Sequence, residues 1–172
     1  MVMNKIHVYF MPGLAASSKI FERIQLPTAT FEIHLLDWKI PHKNETLVAY
    51  AKRMAAEVTH DQAVLVGVSF GGVLVQEMAT FLQLRKLIIV SSVKTNLEIP
   101  MTMRILKSTK AYKLVPTTLL QNIEVLNKFS FSSVIQQRLK LYEKYMSMRN
   151  KTYLEWAIEQ MLHWDRVKPN PQ

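Results

Sequence analysis

Apolar positions in the first hundred residues recur with two different periods. Ile6-His7-Val8-Tyr9-Phe10-Met11 and Phe31-Glu32-Ile33-His34-Leu35-Leu36 are short runs, stopped by Pro12-Gly13 and by Asp37-Trp38, and each predicts a strand. Residues 63–68 and 87–90 are unbroken apolar runs, the pattern of strands buried on both faces of a parallel sheet flanked by helices. Between them Leu47, Tyr50, Ala51, Met54 and Val58 lie at i, i+3, i+4, i+7 and i+11, with Lys52, Arg53 and Glu57 off that face. Leu74, Val75, Met78, Phe81 and Leu82 make a second such stripe. Strand, strand, helix, strand, helix, strand is the order of an α/β domain with about four strands in a mainly parallel sheet.

The pattern changes near residue 101. From there to Trp164 no strand-like run and no glycine occurs. Leu119, Leu120, Ile123, Leu126 and Phe129 predict one helix, and Ile135, Leu139, Leu141, Tyr142 and Tyr145 a second. Tyr153, Trp156, Ala157, Met161 and Trp164 predict a third. The expected organisation is a core over 1–100, a helical appendage over 101–165 and a loop over 166–172.

Glycine usage locates the chemistry. A chain of this length would ordinarily hold about a dozen glycines; this one has four. Gly67, Gly71 and Gly72 surround Ser69 in AVLVGVSFGGVLVQEMA, and Gly13 lies in PGLAAS. Gly67-Val68-Ser69-Phe70-Gly71 matches G-x-S-x-G with a predicted strand before it and a predicted helix after it, the context that gives the motif meaning. On so tight a turn the serine hydroxyl is pushed out at the strand's end, and the residues two before and two after it must be small. Gly72 lets the new helix pack closely on the sheet. The helix N-terminus behind Ser69 supplies partial positive charge for a developing oxyanion. A phosphate-binding turn is the alternative, but neither G-K-[ST] nor G-x-G-x-x-G is present.

On these residues the chain resembles the α/β-hydrolases. VYFMPGLAAS is similar to their first core strand and oxyanion loop, with Pro12-Gly13 in place of His-Gly, and LVGVSFGG is similar to their nucleophile elbow. The resemblance implies a three-layer sandwich with a helical lid over 101–165. It also implies Ser69 as nucleophile and an oxyanion hole made by the backbone N–H groups of Leu14 and Phe70. A small acyl or ester substrate follows, apolar if the Met, Leu and aromatic residues of the lid line its site. The resemblance calls for no metal and no organic cofactor.

A serine needs a base oriented by an acid, and in this family the order is Ser, then Asp or Glu, then His. Those residues follow later strands, and the chain reaches PNPQ where the next strand is expected. The implied relay is therefore incomplete, at a cost of about 10⁴- to 10⁶-fold in turnover, and the chain by itself is expected to be weakly active or inactive. His163 and Asp165 come in the wrong order at the end of a predicted helix. Glu98 stands after the 87–90 strand, where some hydrolases carry their acid. His7 and His34 are expected to be satisfied structural residues within strands; His42 and His60 fall in loops and are expected to be solvent-exposed. No metal-ligand cluster is visible in the sequence. With the following strands missing, 87–90 becomes a sheet edge that is expected to self-associate.

Composition alters this picture little. Apolar residues are 49% and charged residues 20%, a globular balance that argues against disorder. Zero cysteines removes disulfides, thiolate metal sites and cysteine nucleophiles, and is consistent with the cytoplasm. The apolar N-terminal run alternates and is broken by His7 and Pro12-Gly13, unlike a cleaved signal, and no run approaches a membrane span. The net charge of +9 is scattered and accompanies no nucleic-acid motif, so a basic interaction module is the least favoured reading. A non-catalytic ligand- or partner-binding protein on the same scaffold is the main alternative to a hydrolase.

Overall fold

The computed structural model describes residues 5–99 and 144–169. Strands β1 (Ile6–Met11), β2 (Phe31–Leu35), β3 (Ala63–Val68) and β4 (Leu84–Val90) form one sheet in the order β2-β1-β3-β4, every pair parallel. The described residues also hold helices α1 (Leu47–Ala55), α2 (Phe70–Met78) and α3 (Lys151–His163), 3₁₀ turns at Ser18–Phe21, Ala79–Phe81 and Asn96–Glu98, and helical backbone at Lys144 and Tyr145.

The unbroken apolar runs are explained by the two-residue period of a strand. Tyr9 and Met11 of β1, with Ala63 and Leu65 of β3, enter the main core cluster under α1, α2 and α3. Val8, Phe10, Val64 and Val66 point to the other face, where they meet Phe21 of the first 3₁₀ turn. β4 departs from its expected burial on both faces. Leu84, Leu87 and Ile89 pack against the main core, while Ile88 and Val90 are exposed, because β4 is one of the two outer strands of the sheet among the described residues. It also begins three residues earlier than the apolar run, at Leu84, through Arg85 and Lys86. Both are exposed, and a register shift between Ala63 and Val64 passes over Arg85.

Two of the three helices start where a side chain caps them. Thr46 accepts from the Ala49 N–H at 3.2 Å to open α1, and Asn150 accepts from the Tyr153 N–H at 3.1 Å to open α3. Every residue of α2 is buried. The chain then tightens into a 3₁₀ turn, which rotates Phe81 out of the predicted stripe and leaves it exposed. α3 falls within the 101–165 segment, and it puts Tyr153, Leu154, Trp156 and Ala157 into the same core cluster as the sheet. The predicted helix around 119–129, and that around 135–145 up to residue 143, lie outside the described residues. No helix among the described residues is long and apolar enough to cross a membrane.

Candidate active site

β3 ends at Val68 and α2 begins at Phe70, so the chain reverses within one residue, Ser69. Ser69 is exposed, with φ 52° and ψ −121°. A residue with a Cβ held at such a φ costs on the order of 1–3 kcal/mol and persists only where its surroundings over-determine it. Three contacts do so here. The Ser69 N–H donates to the Val90 carbonyl at 2.9 Å, and its own carbonyl accepts from the Gly72 N–H at 2.9 Å and the Ser92 hydroxyl at 2.7 Å. The Ser69 side chain does not cap α2, so its hydroxyl is left at the mouth of a helix N-terminus.

The glycines around Ser69 serve space rather than backbone angle, since none has a positive φ. A Cβ on Gly67 would run into the Gly71 carbonyl and lie 2.5 Å from Val75 Cγ2. One on Gly71 would strike the Pro12 carbonyl, and one on Gly72 would lie 2.5 Å from the Ser92 side chain. The turn thus closes only because its two flanks and the end of β1 meet backbone to backbone. Gly13 lies at ordinary contact distance from Ser69: a Cβ there would sit 3.4 Å from Ser69 Cβ. This brings the loop that continues into Leu14 alongside the serine.

Three residues that sequence reasoning did not single out hold this loop and the corner together. Trp38 donates its indole N–H to the Gly13 carbonyl at 2.8 Å and stacks on Phe70 with ring centroids 5.2 Å apart. The Tyr153 hydroxyl of α3 accepts from the Ala15 N–H at 3.3 Å, and burial pushes its phenol pKa well above the ordinary value, so it stays neutral. Ser92 grips the Ser69 carbonyl. Only Ser92 had a sequence signal, as a polar residue just past the end of an apolar strand, where open α/β sheets place their sites.

A cleft of about 220 Å³ opens beside Ser69, lined also by Ser91, Ser92, Val93, Ile99, Met161 and Trp164. Its walls are mainly apolar, and no histidine or carboxylate among the described residues lines it. His163 is exposed, with its Nδ1 2.9 Å from the Glu159 carbonyl of its own helix. Glu98 is exposed and accepts from the Lys94 N–H at 2.8 Å. His42 is exposed as expected, but His60, expected to be solvent-exposed, is half-buried against His7 and His34.

No protein-family model matches the chain, and no curated protein matches it. Solved structures do match. A hydrolase from Pseudomonas aeruginosa aligns with TM-score 0.66 at 14% identity, over 94% of this chain and 65% of the other. An alpha/beta hydrolase fold protein from Burkholderia ambifaria aligns with TM-score 0.57 at 12% identity, over 91% and 64%. A lipase-esterase related protein from Clostridium acetobutylicum aligns with TM-score 0.56 at 16% identity, over 94% and 68%. The chain therefore spans about two thirds of the length of these structures.

Proposed function

We propose, for a chain that has the α/β-hydrolase fold, that Ser69 is the nucleophile of a serine hydrolase acting on carboxylic esters or related acyl compounds. One observation carries this reading: an exposed serine held at φ 52° between a strand and a helix by three backbone-directed hydrogen bonds. Strain maintained at such a corner has a use when the hydroxyl must stand clear of the backbone. In this mechanism Ser69 Oγ bonds to the substrate carbonyl carbon, and the carbonyl electron pair moves onto oxygen. The Leu14 and Phe70 N–H groups and the α2 N-terminus meet the resulting oxyanion. The hydroxyl proton passes to a base and then to the departing alcohol, and water hydrolyses the acyl-serine. The reading requires that base and an acid to orient it, and no histidine or carboxylate among the described residues lines the cleft. The apolar wall of Met161, Val93 and Trp164 suits an apolar acyl group.

Labelling with a fluorophosphonate probe tests the assignment. The folded chain is expected to label slowly, and Ser69→Ala is expected to abolish labelling. Labelling that persists in Ser69→Ala refutes Ser69 as nucleophile. A folded chain that does not label at all favours the second reading, a non-catalytic binder of an apolar acyl ligand. The absence of a histidine or carboxylate among the described lining residues of the cleft supports that alternative. Its signature is ligand affinity unchanged by Ser69→Ala.

We also propose that β4 mediates self-association. It presents Ile88 and Val90 at 37% and 44% exposure, and an outer strand offers unpaired backbone groups to another chain. Sedimentation velocity is expected to show dimers or larger species that diminish in Ile88→Lys; a monomer at all concentrations rejects this.

A further inference from the structure

At the opposite end of the strands from Ser69, three histidines remote in sequence come together. His7 lies near the start of β1, and His34 of β2 stands in register with Tyr9, two residues along β1 on the same face as His7. His60 reaches them from the turn between α1 and β3. His7 Nδ1 and His34 Nε2 are 2.9 Å apart, and the rings of His7 and His60 stack at 3.5 Å. All three are half-buried, and one ring nitrogen from each falls within 4.8 Å of the others.

We propose that His7, His34 and His60 form a binding site for a divalent transition-metal ion of the zinc class. Imidazole nitrogens suit Zn²⁺, Ni²⁺ and Cu²⁺. A Zn–N bond of about 2.0–2.1 Å places tetrahedral ligand nitrogens roughly 3.3 Å apart. The observed separations, 2.9 Å for the closest pair and at most 4.8 Å, bracket that value. Two ligands are fixed by adjacent paired strands, β1 and β2. The third stands in a turn with its ring stacked on His7, and metal binding requires that ring to rotate until the ion lies in both ring planes.

The surroundings support the same reading. Tyr9 supplies an outer contact of the kind that orients metal-bound histidine. Its oxygen lies 2.6 Å from His60 Nδ1 and accepts from the Thr59 N–H at 3.3 Å. A His60 Nδ1–H donating to Tyr9 leaves Nε2 for the metal. His7 and His60 also border a cleft of about 570 Å³ that includes Lys5, Asp61 and Arg85. The fourth coordination position therefore faces solvent, where water or an anion attracted by Lys5 and Arg85 would occupy it. The site joins β1, β2 and the α1–β3 turn, so an ion there would cross-link the start of the sheet.

Titration of the untagged full chain with Zn²⁺ alone, followed by calorimetry and thermal melting, tests this. One equivalent is expected to bind, with Tm rising with Zn²⁺ concentration as required of a ligand that binds only the folded state. Co²⁺ is expected to give the intense visible bands of a four-coordinate site. His34→Ala and His60→Asn are expected to abolish stoichiometric binding; His60→Asn alters only a turn, so it reports on the site even if the strand variant unfolds. Tyr9→Phe is expected to weaken binding about 10-fold, the lower end for a lost outer-shell contact. His42→Ala, at an exposed histidine elsewhere, is expected to change nothing. Absence of stoichiometric binding to the folded chain overturns the proposal, as does binding retained in His60→Asn or lost in His42→Ala. None of these readouts depends on Ser69.

Discussion

Gly71→Ala is expected to destabilise the protein by about 3 kcal/mol, the upper end of the cost of overpacking a core. The methyl group would meet the Pro12 carbonyl oxygen, with the Met11 carbonyl oxygen at 2.7 Å and the Pro12 carbonyl carbon at 3.0 Å. All three are backbone atoms at the end of β1, a strand hydrogen-bonded on both sides, so no rotamer change relieves the clash. Relief requires moving α2 away from β1, yet every residue of α2 is buried. Gly13→Ala is the control. Its Cβ would make only ordinary contacts, at 3.4 and 3.5 Å, and Gly13 has no positive φ. That variant is expected to be neutral, or stabilising by up to about 1 kcal/mol through the unfolded chain. Urea unfolding midpoints at constant m-value separate the two. Equal midpoints would refute the claim that backbone contact is what makes Gly71 necessary.

The second large effect concerns Glu77, a buried carboxylate on α2. It accepts from the Trp164 indole N–H at 2.9 Å and from Arg166 Nε at 3.0 Å. With the side chains of Arg166 and Glu77 only 17% and 11% exposed, the pair is poorly screened. Glu77→Ala leaves a guanidinium and an indole N–H without their acceptor in a low-dielectric setting. A loss of about 3 kcal/mol is expected. Glu77→Gln keeps an acceptor for Trp164 while removing the charge, and is expected to cost about half as much. Replacing both partners, as in Glu77→Leu with Arg166→Met, is expected to recover much of the loss, since no orphaned charge remains. Additive single and double losses in that cycle would mean that the pair is not coupled. The contact also bears on the cleft, because it anchors Trp164, which lines the cavity beside Ser69.

The elements most legible in the sequence were those whose local pattern and tertiary role agree. β1 and β3 read as strands because their apolar runs are divided by parity between two cores. The Ser69 corner read as a turn because its glycines cluster, although they prove to provide room for backbone contact rather than unusual dihedrals. β4 was less legible at its start. An outer strand tolerates Arg85 and Lys86, and those charges hid its first three residues from a search for apolar continuity. Likewise, Tyr153 and Trp156 announced a helix but not that it would enter the main core.

The sequence by itself determined the alternation of parallel strands and helices, and the place where a serine would be forced clear of the backbone. Both depend on side-chain period and on steric allowance within a few residues. The tertiary structure decided which distant groups meet. It set Trp38 and Tyr153 on the Gly13–Ala15 loop, Ser92 on the Ser69 carbonyl, and His7, His34 and His60 within ligand distance of one another. No ligand spacing along the chain announces three histidines carried on β1, on β2 and on the turn before β3. They converge because parallel pairing fixes the register of the first two strands and the crossover through α1 returns the third histidine to the same end of the sheet.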